Sequence, residues 1–188
     1  MKKYLLPSLK ISAVFLIICS VMYPLFIGLV GKLAKGNGNG ETLEVNGKVV
    51  GYANIGQKFT ADKYFWGRPS AVDYNAAGSG GSNKGATNPD YLKTVQERID
   101  SFLVHNPSVR KGQIPAEIVT ASGSGLDPDI SPESAVIQIS RVAITRKIPA
   151  NQIAALVREH TETHVFGPET INVLKLNIAV DKLDPKNK

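Results

Sequence analysis

The sequence contains almost no cysteine, which limits its covalent chemistry. Cys19 is the single cysteine among 188 residues, so no disulfide bond can form within the chain. Cys19 lies in a long apolar run, and the rest of the chain is free of cysteine. Such a remainder is compatible with either side of a bacterial membrane.

Acidic residues are absent from the first forty positions, and this absence explains most of the net charge. Five lysines precede the first acid, Glu41: Lys2, Lys3, Lys10, Lys32 and Lys35. The chain has 22 Lys and Arg against 16 Asp and Glu, and 22 less these five leaves 17, so the remainder is nearly neutral. The basic residues flank the apolar run instead of forming a patch, so we expect no nucleic-acid partner.

Recognisable catalytic motifs are also absent. Segment 78–84, GSGGSNK, lacks the G-x-x-x-x-G-K-[ST] spacing of a phosphate-binding loop. Segment 122–125, SGSG, lacks the glycines that a nucleophile elbow places two residues on each side of its serine. His160 and His164 have the i, i+4 spacing of helical zinc ligands, but Glu162 does not directly follow the first histidine as in the zinc-protease motif. We therefore expect segment 78–84 to be a surface loop and the histidine segment to be a solvated helix end. We predict no metal site, and we do not expect the protein to be an enzyme.

A long apolar run, residues 11–33, carries no charge before Lys32. About 20 apolar residues suffice to cross a bilayer, whereas the apolar region of a cleaved signal peptide spans only about 7–15. We predict an N-terminal segment over 1–10 and a transmembrane helix over 11–33, in contact with lipid; a signal peptide or a buried core helix are the alternatives. The run is preceded by three lysines and followed by two. This small excess places the N-terminus inside and the rest outside the cytoplasmic membrane, as a single-pass protein.

A single soluble domain is predicted to follow the membrane span. Residues 34–40 include GNGNG and predict a flexible linker, and residues 41–188 predict one small α+β domain. Within it, segment 43–50 predicts a β-hairpin whose tight turn is Asn46-Gly47. The mixture of helical periodicities with short alternating runs defines the α+β class.

Proline and capping residues mark the predicted helices. Asn88 and Pro89 start one that runs to about His105, and Ser131 and Pro132 start the central one. A further helix follows Pro149. Two strands are also predicted: one over 118–120, and a last one in which Leu174, Leu176, Ile178 and Val180 alternate with polar residues.

Two polar loops, over 68–89 and 120–131, hold the candidate site residues. A partner-contacting or structural role is assigned to Arg68, Asp73, Asn75, Ser122, Gly123, Ser124, Gly125, Asp127, Asp129 and Arg141. An alternative nucleotide-binding set comprises Ser79, Gly80, Gly81, Ser82, Asn83 and Gln138, because backbone amides near glycine can cradle phosphate. Gln138 and Arg141 lie three apart on the central helix, so they either anchor the loops or present donors to an anionic ligand.

Three long segments resemble one known family. They are GRPSAVDYNAAGSGGSNKGATNPDYL, PAEIVTASGSGLDPDISPESAVIQISRVA and INVLKLNIAVD, and a single N-terminal span precedes them. Together they resemble the C subunit of the Kdp-type potassium-transporting P-type ATPase, over essentially the whole chain.

This resemblance implies an accessory role in an ATP-driven potassium uptake complex of the inner membrane. In that family a channel-like subunit binds potassium and a separate subunit hydrolyses ATP; the C subunit is non-catalytic and is needed for assembly and activity. The family is also described as a catalytic chaperone that raises the ATP affinity of the hydrolysing subunit. The resemblance therefore implies no firmly bound cofactor, with ATP reached only through the complex and potassium transported by it.

Two further functions remain open from the residues. The chain is alternatively an accessory nucleotide-binding module or, more remotely, an anchored hydrolase that uses Ser124. The roles of Asp73, Asp127 and Asp129 are open as well. They either raise the local potassium concentration through their charge, or only cap turns and helices.

Overall fold

The computed structural model describes residues 2–183. The chain divides into two compact units, Met1–Thr42 and Leu43–Lys188. The first unit consists mainly of helix, and the second contains helices with two small sheets. The predicted α+β class with a single N-terminal apolar helix is confirmed.

The first unit is a nearly continuous helix. It comprises α1 (Lys2–Ile17), a π-helical turn (Ile18–Met22) and α2 (Tyr23–Gly31). Pro24 lies in the first turn of α2 and has no backbone N–H to donate to the preceding turn. That preceding turn is the wider, π-helical one, which compensates for the missing hydrogen bond. The candidate span, Lys3–Gly31, has 29 residues, which at about 1.5 Å each exceed the roughly 30 Å hydrocarbon core. Its side chains are exposed, as a lipid-facing helix requires.

The second unit begins with the predicted hairpin, which is confirmed. Strands β1 (Thr42–Val45) and β2 (Lys48–Tyr52) form a two-stranded sheet. Asn46 and Gly47 have φ of 52° and 73°, the left-handed conformation that a two-residue primed turn requires.

The second sheet has three short antiparallel strands in the order β3-β5-β4. They are β3 (Asp129–Ile130), β4 (Thr161–Glu162) and β5 (Thr170–Asn172). In the register, Ile171 of β5 faces Ile130 on one side and Thr161 on the other. Because β3 lies at the end of the predicted second polar loop, the sheet fixes that end of the loop.

Five helices pack around this sheet: α3 (Pro89–His105), α4 (Pro132–Val136), α5 (Ile139–Arg146), α6 (Ala150–Glu159) and α7 (Val173–Leu183). The predicted caps are confirmed, since Asn88 accepts from the Tyr91 amide (3.1 Å) and Ser131 from the Ser134 amide (3.2 Å). Their apolar faces form one core with buried residues of the strands and of the segment before α3. It includes Phe65, Phe102, Ile130, Ala135, Val142, Ile153, Ile171, Leu176 and Val180. Each fully buried large side chain contributes about 1.5–3 kcal/mol to folding.

The central helix was predicted as continuous, and this prediction is wrong. It divides into α4 and α5 around Gln138. The Gln138 side chain donates to the Ser134 carbonyl (3.0 Å), whereas its backbone amide donates to Ala135 instead (3.0 Å). The side chain thus takes the acceptor that a regular helical bond would use.

Both predicted strands are also wrong. The segment 118–120 lies at the end of a 3₁₀ turn (Ala116–Ile118) and in the bend after it. The alternating run from Leu174 to Val180, predicted as the last strand, belongs to α7. Segment 173–183 also contains residues at helical spacing, in addition to the alternating apolar residues. Val173, Asn177 and Val180 have this spacing and are buried on one face of α7. Asn172 caps this helix by accepting from the Lys175 amide (3.0 Å).

The two histidines with zinc spacing do not share a helix. His160 is the C-cap after α6, and β4 begins at the next residue. His164 contacts the Thr170 hydroxyl (2.8 Å). Within residues 2–183, no group of three or more potential ligands is placed to hold a metal ion.

Candidate functional site

The two polar loops bind each other. Loop 1 (residues 68–88) ends where α3 begins, and loop 2 (residues 119–128) ends where β3 begins. The Ser124 carbonyl accepts from the Gly80 amide (2.8 Å) and from the Ser79 hydroxyl (2.9 Å). The Ser122 amide donates to the Pro69 carbonyl (3.0 Å). Residues predicted separately for a nucleotide and for a partner therefore lie together in one structure.

Ser70 organises loop 1 and joins it to loop 2. Its hydroxyl accepts from the amides of Val72 (3.2 Å) and Tyr74 (2.9 Å) and donates to the Gly125 carbonyl (2.7 Å). The Tyr74 hydroxyl donates to the Arg68 carbonyl. Burial, followed by the nearby Asp127 charge, raises the pKa of Tyr74 to about 12, while Arg68 acts in the opposite direction. Tyr74 therefore stays a neutral donor at physiological pH.

The glycines of loop 2 differ in their surroundings. Gly125 is buried with φ 68°, and a Cβ there would lie 2.5 Å from Val72 Cγ2 and 2.7 Å from the Gly80 carbonyl oxygen. Gly123 is exposed, its φ is not positive, and a Cβ there would meet nothing within 4 Å. Of these two glycines of loop 2, only Gly125 is required by the contact between the loops.

The acidic residues of the loops are engaged with nearby cations or backbone amides. Asp127 pairs with Arg68 (2.9 Å), and Asp73 pairs with Lys58 (2.6 Å). Asp127 also accepts from the Asp129 amide (3.1 Å). Burial, and then the charge of Asp127, raises the pKa of Asp129. The loops therefore present less free negative charge than their sequence indicates.

The outer part of loop 1 contains a local turn closed by a side chain, and it also approaches loop 2. Asn75 accepts from the Ala77 amide (3.1 Å), which closes a local turn. Asn83 is exposed with φ 52°, a conformation that asparagine tolerates. Ser79 is exposed, and Gly81 and Ser82 are half-buried. A Cβ at Gly81 would lie 3.0 Å from the Gly123 carbonyl oxygen, so the loops also meet here.

Gln138 belongs to the core and not to the loop surface. Its side chain is fully buried. Its oxygen accepts from the Trp66 amide (2.8 Å) and from Arg141 Nη2 (2.7 Å), and its nitrogen donates to the carbonyls of Trp66 (3.2 Å) and Ser134 (3.0 Å). Every polar atom of this amide is bonded within the domain, and none faces the Ser79–Asn83 segment of loop 1.

Arg141 fixes the segment that leads into loop 1. Its Nη1 donates to the carbonyls of Asp62 (2.6 Å) and Tyr64 (2.9 Å), and its Nε donates to Asn106 Oδ1 (3.0 Å). The guanidinium also lies 4.3 Å from the centre of the Trp66 ring. Burial lowers the pKa of Arg141 to about 10, an effect that the Asp62 charge partly offsets, so Arg141 remains a cation at neutral pH. Of the two roles predicted for Gln138 and Arg141, the geometry supports anchoring.

A cavity of about 600 Å³ lies between the start of loop 1 and α3. Trp66 and Phe59 supply aromatic surface, and Arg68, Arg98 and Glu97 supply charge. No role is predicted for Arg98 from the sequence, although its position on the polar face of an amphipathic helix is a weak signal. Arg98 Nη1 donates to the Val119 carbonyl (3.1 Å), so this side chain also links α3 to the start of loop 2.

A smaller cavity of about 280 Å³ brings Arg68 together with acidic residues, namely Glu117, Asp127, Asp129 and Glu169. Among the described residues, Arg68 Nε is a buried polar atom without a hydrogen-bond partner. Glu117 accepts from the Ser131 amide (2.7 Å) and the Ser134 hydroxyl (2.5 Å), at the start of α4. These contacts hold loop 2 against the central helices.

Taken together, these features define a protein with one candidate membrane span among its described residues and a small α+β domain whose two polar loops are interlocked. The family described as "K+-transporting ATPase, c chain" matches residues 5–182. The potassium-transporting ATPase KdpC subunit of Flavobacterium johnsoniae is 56% identical over 181 residues, which cover 96% of this chain and 99% of the relative. Those of Bacteroides fragilis (51% over 187 residues; 96% and 98%) and Caldanaerobacter subterraneus subsp. tengcongensis (42% over 177 residues; 92% and 92%) are also similar.

The chain therefore belongs to the KdpC family of potassium-transporting ATPase subunits. Membership implies an accessory role in a potassium pump, association with a membrane, and partner subunits.

Proposed function

We propose that this chain is a non-catalytic subunit that supports the assembly and activity of an ATP-driven potassium pump by contact. The observation that carries this proposal is the mutual binding of loops 1 and 2, in which the Ser124 and Gly125 carbonyls and the Asp127 carboxylate are all engaged within the domain. A surface whose polar groups are already paired is rigid, and it binds a partner with little loss of conformational entropy. The same pairing leaves few free groups for catalysis.

The partners in this proposal are the potassium-binding and ATP-hydrolysing subunits of the pump. The ion pairs of Asp73 and Asp127 favour a structural role for these carboxylates over an electrostatic effect on potassium, because a neighbouring cation cancels most of the field of each. Loops 1 and 2 then act mainly through the shape of their surface.

Gly123 offers a direct test of contact through these loops. Gly123→Tyr fills open space, so the domain is expected to fold normally while the ring obstructs a partner. We expect pump activity and recovery of the assembled complex to fall at least tenfold, measured as potassium-stimulated ATPase activity and subunit ratio after purification.

Gly112→Tyr is the matched control, because a Cβ at Gly112 also meets nothing within 4 Å, in a 3₁₀ turn outside both loops. Equal activity of the two variants would contradict contact through loop 2. A lowered thermal midpoint of Gly123→Tyr alone would make it uninformative, in which case Gly123→Ser and Gly123→Leu give a graded series.

The location proposed for the soluble unit is the extracytoplasmic side of the inner membrane. Three lysines precede the apolar run and two follow it, a bias that favours a cytoplasmic N-terminus.

This location bears on a second candidate function, in which the chain raises the ATP affinity of the hydrolysing subunit or binds ATP itself. The 600 Å³ cavity favours that candidate, since it combines Trp66 with Arg68 and Arg98 and has the size of a small-molecule site.

Labelling from one side of the membrane separates the two candidates. In a Cys19→Ser background, Val104→Cys places a thiol on an exposed face of α3, where Val104 is 77% exposed. We expect a membrane-impermeant maleimide to label this cysteine in intact spheroplasts. In inside-out vesicles, the same reagent should label it only after the membrane is permeabilised. Because ATP is cytoplasmic, the opposite pattern would overturn the proposed location and leave ATP binding as the better candidate.

A further inference from the structure

The loop that joins β4 to β5 carries two unusually exposed apolar side chains. We call residues 163–169 the tip loop. Val165 is 91% exposed and Phe166 is 96% exposed, more than any other large apolar side chain in the described chain. Single exposed apolar residues are common, but an adjacent aliphatic and aromatic pair with almost no internal contact indicates a binding element.

The tip loop is braced at its base. The Thr163 hydroxyl donates to Glu169 Oε1 (3.1 Å), and His164 Nε2 contacts the Thr170 hydroxyl (2.8 Å). Gly167 has φ 131°, and Pro168 follows it at the return to β5. The polar side chains thus bind across the base, and Val165 and Phe166 are left as the solvent-facing pair.

The size of this pair limits what it can bind unaided. A large aromatic side chain buries about 150–250 Å², whereas a stable interface needs about 800 Å² from each partner. The pair is therefore too small to hold a freely diffusing protein or a second copy of this chain. It is sufficient as one contact where the partner is already nearby, because effective concentration replaces most of the missing area. Subunits of one membrane complex meet that condition.

The charges around the tip loop distinguish a protein pocket from a lipid surface. Elements that insert into bilayers combine apolar residues with Lys and Arg. Segment 160–170 contains neither, and its charged side chains are Glu162 and Glu169. Lys175 pairs with Glu162 (3.2 Å), which offsets one of these two acidic charges, and the segment itself offers no cation to attract anionic headgroups.

We infer that Val165 and Phe166 insert into an apolar pocket on another subunit of the pump, on the side of the membrane that this domain occupies. This inference rests on the proposal that the chain acts by contact within the pump. Phe166 is the expected hot spot of that contact, because a buried aromatic anchor usually carries a large share of interface energy. Val165 and Phe166 belong to neither loop 1 nor loop 2, so the contact is tested independently of those loops, although Glu169 at the base of the tip loop lines the smaller cavity with Arg68 and Asp127.

Photo-crosslinking in the whole complex tests the inference. Replacing Phe166 with p-benzoylphenylalanine keeps an aromatic ring at the tip and reacts with whatever lies against it. We expect irradiation to yield a crosslink to another pump subunit, and at least a tenfold lower yield with the same probe at Val104, which is 77% exposed on α3. A crosslink only to lipid, only to a second copy, or to nothing would overturn the inference.

A substitution supplies the energetic counterpart. Phe166→Asp is expected to lower the recovery of partner subunits at least tenfold at unchanged thermal midpoint, whereas Phe166→Leu retains most of it. Unchanged recovery with Phe166→Asp would contradict the inference even if a crosslink forms. If Gly123→Tyr abolishes activity while Phe166→Asp does not, the proposed function stands and only the role of the tip loop fails.

Discussion

Arg141→Met is expected to lower the free energy of unfolding by about 3–5 kcal/mol, because several buried acceptors lose their charged donor at once. The methionine fills much of the volume, but the carbonyls of Asp62 and Tyr64 and the oxygen of Asn106 lose their donor. Each buried acceptor left without a partner costs about 1–3 kcal/mol. Chemical denaturation of the full chain in detergent, followed by the fluorescence of the single tryptophan, Trp66, measures the loss.

Arg158→Met is the matched control, because Arg158 is exposed on α6. Its replacement is expected to change stability by less than about 0.5 kcal/mol. Arg141→Lys preserves the charge but not the planar fork, so it is expected to recover only a small part of the stability. A full recovery with lysine would mean that charge alone stabilises the site, contrary to the hydrogen-bond geometry described above.

The sequence predicted the elements that have strong local signals. Asn88-Pro89, Ser131-Pro132 and Asn46-Gly47 each have one dominant conformational preference, and the structure has the expected caps and turn at all three. Segment 173–183 lacked such a signal, since its apolar residues fit both periods. The helix is marked by its N-terminal cap, in which Asn172 accepts from the Lys175 amide. Asn172 is in position to do so because it is the last residue of β5, and the pairing of β5 is not visible in the local sequence.

The sequence indicated which segments form the candidate site, but not how those segments contact each other. Loops 1 and 2 were identified from their glycine, serine and aspartate content, yet the contact between Ser79 and Ser124 joins residues 45 positions apart. No local pattern encodes such a pairing, because it arises from where α3 and β3 place the loop ends. The same reason explains Gln138 and Arg141, whose spacing was clear although the direction of their side chains was not.

Substitution of Gly125 is also expected to lower the stability of the domain strongly, because Gly125 lies at the contact between loops 1 and 2. Gly125→Ala forces a side chain into a left-handed conformation, at about 1–3 kcal/mol of strain. It also brings a methyl group within 2.7 Å of the Gly80 carbonyl oxygen, where overpacking typically adds about 1–3 kcal/mol. We therefore expect a loss of at least about 2 kcal/mol in unfolding free energy, and a larger loss with Gly125→Val.

Gly123→Ala separates this packing effect from loop composition, because the two glycines are two positions apart and only Gly125 is enclosed. Gly123→Ala is expected to be neutral within about 0.5 kcal/mol. Amide hydrogen exchange adds a local measure: the Gly80 and Ser122 amides, which donate across the loops, should lose protection in Gly125→Ala and keep it in Gly123→Ala. Equal protection in both variants would mean that the loops hold their shape independently. In that case, loss of pump activity in Gly125→Ala without loss of stability would assign Gly125 to the surface that a partner approaches.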